Sequence, residues 1–254
     1  MPIIQSVDRA LKILDLFNEQ NSEMKITEIS RKLDLNKSTA HSLLKTLKMH
    51  NYIKQDPDSG KYSLGLKLLE RGQFMLNSMD IREIARKYLI DLSVTTGQTT
   101  HLVILEGLYG VYIDKVEGES AVVYSRIGKR VPIHSSAVGK SLVAFRPQEE
   151  IEELLQNYAF FEQTDNTIID KQVYVEELAK VRTQGYSIDN EENEPGIYCI
   201  AVPIFDHANK VVAAISISTT KQTVTPTLKQ EIINTLKQTS SAISKVLGNE
   251  KIYL

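Results

Sequence analysis

The 254-residue chain holds a single cysteine, Cys199, so no internal disulfide can form and no cysteine-rich metal site is on offer. Its five histidines never fall at metal-ligand spacing. No apolar run approaches the length of a membrane span, and Met1 to Gln20 lacks the basic-then-apolar layout of a signal peptide. Internal repeats and low-complexity tracts are missing too. These absences lead us to expect a cytoplasmic protein with no metal, cofactor or membrane partner. Two catalytic readings fail. Gly139-Lys140-Ser141 looks like the end of a P-loop, but His134 stands five residues before Gly139, where that motif requires glycine. Cys199 as a nucleophile would need a base such as His101 or His134, yet it lies mid-strand and outside any hydrolase pattern. The expected protein is not an enzyme.

What is present is the composition of a globular chain, 42% hydrophobic and 24% charged, long enough for one large or two ordinary domains. The net charge of −2 conceals a division. Residues 1–65 carry ten Lys or Arg against eight Asp or Glu, and the remainder has an acidic excess. Leu35 to Gln55 contains Lys37, Lys45, Lys48 and Lys54 and no acid. A local basic face matters more for phosphate contact than the global sum.

Val7, Ala10, Leu11, Leu14 and Phe17 repeat at helical spacing. Ile26, Ile29 and Leu33 mark a second helix, broken at Asp34 to Asn36. A third begins with Asn36 or Ser38 as N-cap and runs to about His50, its first turn small and polar. Ala40, Leu43, Leu44 and Leu47 must face inward. That leaves Lys37, Ser38, Thr39, His41, Ser42 and Lys45 outward, the layout of a helix-turn-helix that offers its N-terminal side chains to a DNA groove. Tyr52 to Gln55 and Lys61 to Leu64 flank a Pro/Asp/Gly turn, so a hairpin follows and the motif becomes a winged helix. Lys45, and Lys61 on the wing, suit phosphate contacts.

From Leu66 to Asn77 a short amphipathic helix reads as a spacer and pairing surface, and another follows from Ile81 to Gly97. Beyond Gly97 the period drops to two. Strands are expected at Thr99 to Leu105, Tyr109 to Val116, Val122 to Ser125, Ile197 to Phe205 and Val211 to Ser218. Helices are expected at Ser136 to Phe145, Pro147 to Leu155, Asp170 to Thr183 and Pro226 to Val246. This second part is α+β, with one antiparallel sheet covered by helices. On its strands Cys199 shares a face with Ala201, and Ser216 with Ser218. Small polar groups on β-branched strands either bond neighbouring backbone or line a cavity. In the run Asp189 to Glu194, Asp189 follows the strand-like Tyr186-Ser187-Ile188 and points inward; Glu191, Glu192 and Glu194 read as a solvated loop.

The chain resembles the IclR family of bacterial transcriptional regulators over nearly its whole length. Ser6 to Leu14 is similar to the family's opening helix, Ser38 to Leu44 to its recognition helix, and Gly60 to Gly65 to its wing exit. Pro132 to Lys140, Gly185 to Glu192, Gly196 to Pro203 and Ala213 to Ser218 resemble its C-terminal signatures. The resemblance implies a winged helix-turn-helix domain over residues 1–65, a linker helix over 66–79, and a GAF-like effector domain over 80–254. It also implies a homodimer or tetramer that binds double-stranded operator DNA and represses a nearby metabolic operon under a small-molecule effector. Effector contact is carried onto Asp189, Cys199, Ser216 and Ser218, and onto Ala137 and Val138 through their backbone. Open N–H groups at the start of the Ser136 helix would draw an anionic group, and Asp189 a hydroxyl. A small hydroxylated or keto carboxylate is the expected effector. One departure stands out: Ser42 sits where the family usually has arginine, so a bidentate contact from that position is lost and the operator cannot be borrowed from relatives. The competing reading is a metabolic enzyme or metabolite-binding module with a vestigial winged helix.

Overall fold

The structure is a computed structural model describing residues 3–18, 20–77, 80–119 and 125–249. The chain forms two compact units, Met1–Ser78 and Met79–Leu254.

In the first unit, α1 (Gln5–Asp15), α2 (Ile26–Lys32) and α3 (Lys37–Met49) enclose Ile13, Phe17, Met24, Ile29, Leu44 and Leu47, closed off by Ile53 and Tyr62. The turn between α2 and α3 is possible because Asp34 takes a left-handed conformation, φ 50°, and Leu35 N–H bonds the Ser30 carbonyl. The N-cap of α3 is Asn36 and not Ser38; no side-chain bond accompanies it. Strands β1 (Ile53–Gln55) and β2 (Tyr62–Leu64) pair antiparallel, and Met24 bridges to the other edge of β2 by exchanging both backbone bonds with Tyr62. Gly65 ends this wing because a Cβ there would sit 2.1 Å from the Asn51 carbonyl oxygen. Val7 and Leu11 are more than half exposed and form, with Ile3 and Ile4, a second stripe beside the Ala10–Ile13–Leu14 stripe that enters the core. Two adjacent apolar stripes look like one broad face in sequence. The unit ends with α4 (Leu66–Asn77).

The second unit starts with α5 (Asp80–Thr96), closed by Gly97 at φ 67°. A six-stranded antiparallel sheet follows in the order β5-β4-β3-β8-β7-β6. Its members are β3 (Thr99–Glu106), β4 (Tyr109–Val116), β5 (Arg130–Pro132), β6 (Ser187–Asn190), β7 (Ile197–Phe205) and β8 (Val211–Thr220). The two hairpins expected from the sequence meet at the middle, where β3 pairs with β8. Helices α5 and α9 (Pro226–Val246) contact each other and the sheet, with Thr100 Oγ1 donating to the Leu89 carbonyl and Ser240 Oγ to that of Pro203. Helix α6 (Ala137–Ala144) packs on the sheet with α8 (Lys171–Gln184) behind it, and α7 (Gln148–Leu155) joins their core through Ile151 and Leu155. Three helix starts are capped as their sequences suggest: Ser136 accepts from Gly139 N–H, Asp170 from Val173 N–H, and Thr225 from Leu228 N–H ahead of Pro226.

Two differences bear on the site. Of the strand expected at Val122 to Ser125, residues 122–124 lie outside the described residues, and Ser125 belongs to no strand. The strand beyond β4 is β5, three residues long, which sequence reading missed. In addition, β6 extends through Asp189 and Asn190, so Asp189 is a strand residue opposite Cys199.

Candidate functional site

A cavity of about 180 Å³ lies in the second unit, lined by the first turn of α6, one face of β7 and β8, and the segment after β6. Ala137, Val138, Asp189, Cys199, Ser216 and Ser218 all line it. Strand register explains the grouping. Cys199 stands opposite both Asp189 on β6 and Ser218 on β8, while Ala201 stands opposite Ser216, and directly opposed residues point to one side of a sheet. Small side chains on that side leave room between the sheet and α6.

At the helix end, Ser136 takes up Gly139 N–H, while the amides of Ala137 and Val138 have no carbonyl partner within the helix. These two donors, with the positive end of the helix behind them, favour a negative group. Lys129 and Arg130 also line the cavity. Opposite lies Asp189, 3% exposed, whose Oδ1 accepts from Glu192 N–H at 2.8 Å and Asn193 N–H at 3.2 Å. Burial dominates and pushes its carboxyl up to about 7, so near neutral pH it is both proton donor and acceptor. Cys199 Sγ is 3.0 Å from Ser218 Oγ, and burial raises its thiol, so it stays protonated and is no nucleophile. Neither candidate base is bonded to it. His134 accepts from Tyr158 Oη at 2.6 Å and donates to the Phe161 carbonyl at 2.9 Å, whereas His101 bonds Ser125 Oγ at 2.7 Å.

The acidic run is not the solvated loop expected. Glu192 is buried and both its carboxylate oxygens bond Lys140, itself fully buried. Its backbone carbonyl accepts from Thr167 Oγ1 at 2.7 Å. Glu194 lines the cavity, and half-buried Glu191 accepts from Gly196 N–H at 3.0 Å. A lysine 52 residues away cannot be read from a local charge pattern. Lys140 thus does structural work that the P-loop likeness of Gly139-Lys140-Ser141 disguises. Sequence reading also missed Tyr112, Lys129, Arg130, Gln163 and Asn193 in the lining. Only Tyr112, inward by alternation on β4, left a readable signal.

In the first unit, Lys37, Ser38, His41, Ser42 and Lys45 are exposed on α3 and Thr39 is half-buried. Among the described residues no carboxylate pairs with Lys37 or Lys45. Lys61 lies 3.7 Å from Glu23, an exposed pair of little strength. Ser42 Oγ donates to the Ser38 carbonyl at 3.1 Å, and Thr46 Oγ1 to the Ser42 carbonyl at 3.0 Å. The Ser42 hydroxyl is thereby turned onto its own helix.

Residues 73–245 match the family described as "Bacterial transcriptional regulator IclR C-terminal", and residues 6–57 match "IclR helix-turn-helix domain". The HTH-type transcriptional regulator XynR of Escherichia coli is 51% identical over 249 residues, covering 98% of this chain and 99% of that protein. The HTH-type transcriptional regulator KdgR of the same organism is 37% identical over 96% of this chain and 93% of its own length. The crystal structure of the Thermotoga maritima IclR superposes with a TM-score of 0.78 at 38% identity, over 97% of this chain and all of that one.

Proposed function

The chain belongs to the IclR family of bacterial transcriptional regulators, and on that footing we propose that it represses a nearby metabolic operon and is controlled by a small hydroxylated or keto carboxylate. It is a DNA-binding transcriptional regulator of a ligand-responsive family and no enzyme. Residues 1–65 would read a near-palindromic operator as a dimer or tetramer, with Leu66–Asn77 as linker helix and residues 80–254 as sensor.

The observation that carries the effector reading is the pairing, across one small cavity, of the open amides of Ala137 and Val138 with Asp189, Ser216 and Ser218. The amides suit a carboxylate and the side chains a hydroxyl or keto oxygen. At about 180 Å³ the space suits a small acid rather than a nucleotide. On the reader, Lys37, Lys45 and Lys61 would hold phosphates, and Ser38, Thr39, His41 and Ser42 would line the groove side of α3. For the ligand to regulate, it must bind the DNA-bound and free arrangements with different affinity.

A salt-dependent gel shift with the chain's own upstream region tests the proposal. We expect a complex that a hydroxylated or keto carboxylate weakens. No binding above non-specific background at low salt, with or without such acids, would sink it.

A further inference from the structure

We propose that His101, which does not itself line the cavity, fixes the hydrogen-bonding polarity of two serines that do, and so selects hydroxylated acids over their deoxygenated analogues. This rests on the reading of the cavity as an effector site.

His101 lies on β3 directly opposite Ser216 of β8, and the two side chains share a face. Its Nδ1 is 3.4 Å from Ser216 Oγ and its Nε2 is 2.7 Å from Ser125 Oγ. Both serines line the cavity. The ring is 1% exposed and held edge-on against Tyr112 with centroids 5.1 Å apart. Two features keep it neutral: burial, and the Lys115 ammonium that reaches the Ser125 carbonyl at 3.0 Å.

A neutral imidazole has one N–H and one lone pair. The serine that meets the lone pair must donate its proton inward, and then offers only lone pairs to the cavity. The serine that meets the N–H keeps its own proton to donate to a ligand. The two serines therefore show opposite polarity, one acceptor and one donor, and exchanging the tautomer exchanges both together. A ligand hydroxyl, donor and acceptor at once, satisfies either arrangement. A group that only accepts, or an apolar group in its place, leaves one serine unpaired in a buried site.

The test compares the full-length wild type with His101→Phe, which keeps the edge contact with Tyr112 and removes both nitrogens. Hydroxylated monocarboxylates of three to six carbons and their deoxygenated counterparts are titrated calorimetrically. We expect the wild type to prefer the hydroxylated probes by about tenfold, the worth of roughly one hydrogen bond. His101→Phe should lose that preference by weakening on the hydroxylated probes alone, whereas a purely structural defect would weaken both sets alike. Retained preference in His101→Phe overturns the role of His101 while leaving the cavity reading intact. A wild type that binds neither set overturns the cavity reading and this one with it. Should the variant not fold, imidazole 15N spectra of the wild type decide: one protonated and one bare nitrogen, perturbed more by hydroxylated than by deoxygenated probes, supports the proposal. A doubly protonated ring, or equal response to both sets, overturns it.

Discussion

Lys140 Nζ lies 2.6 Å and 2.7 Å from the two carboxylate oxygens of Glu192 and 2.8 Å from the Ile188 carbonyl, so its three protons are all engaged inside the second unit. Lys140 sits in the first turn of α6 and Glu192 follows β6; the pair joins the two walls from which the amides of Ala137 and Val138 face Asp189. Removing either partner strands a charge out of water.

Lys140→Ala and Glu192→Ala should each therefore destabilise the second unit by about 3–5 kcal/mol. The double variant Lys140→Met/Glu192→Leu should cost much less than the sum, because no lone charge remains. Denaturant titration of the four proteins measures this. Additive losses would show that the pair is not coupled.

Asp189 gives a pH signature. Its carboxyl titrates at about 7 in the folded chain, against roughly 3.9 when unfolded. Between those values the folded chain keeps a proton that the unfolded chain has released. This site's contribution to stability therefore falls as pH rises from about 4 to about 7, then levels off. Asp189→Asn should remove that part of the slope. Affinity for an anionic probe should likewise fall between pH 6 and pH 8 in the wild type, as the carboxylate forms, and stay level in Asp189→Asn. Calorimetry at the two pH values checks it; parallel falls in both proteins would clear Asp189 of the role.

A Cβ on Gly139 would lie 2.4 Å from Ile133 Cα and 2.7 Å from the Ile133 carbonyl oxygen, both backbone atoms with no rotamer to yield. Gly139→Ala should cost at least the roughly 1–3 kcal/mol typical of overpacking and shift the start of α6. Gly72→Ala meets nothing within 4 Å, lies inside α4, and should stabilise slightly. Thermal melts rank the two, and equal melting points would contradict the contact.

Elements with a local cause were legible in the sequence. Thr225-Pro226 marks the start of α9 because a cap followed by proline suits only a helix start, and Gly185 marks the end of α8 because φ 78° suits glycine. The cavity strands β7 and β8 showed in alternation, which also placed Cys199, Ser216 and Ser218. What stayed hidden has a distant cause. Strand β5 is too short to show a period and exists because β4 offers it an edge. Glu192 reads as solvent-facing until Lys140 arrives from α6. His101, set aside as a base for Cys199, acquires its partners from residues 24 and 115 positions away.

On the proposed DNA face, Lys45→Ala should weaken binding to all sequences about equally and lower the salt slope by roughly one counterion. Ser42→Ala should change affinity much less, because the hydroxyl is already spent on the Ser38 carbonyl. Gel shifts across a salt series separate the two. An operator-specific loss from Lys45→Ala, or a larger loss from Ser42→Ala, would reverse these assignments.

The sheet order places the last strand made, β8, between β3 and β7, both made before it. Until Val211–Thr220 has left the ribosome, β3 and β7 each present an unsatisfied edge, and Ser216 and Ser218 have not yet joined His101 and Cys199. The two units are thus completed in sequence during synthesis. The winged helix is complete within the first third of the chain, while the cavity waits for the final fifth. A chain that stops short of β8 would carry a finished winged helix beside a cavity that lacks one wall.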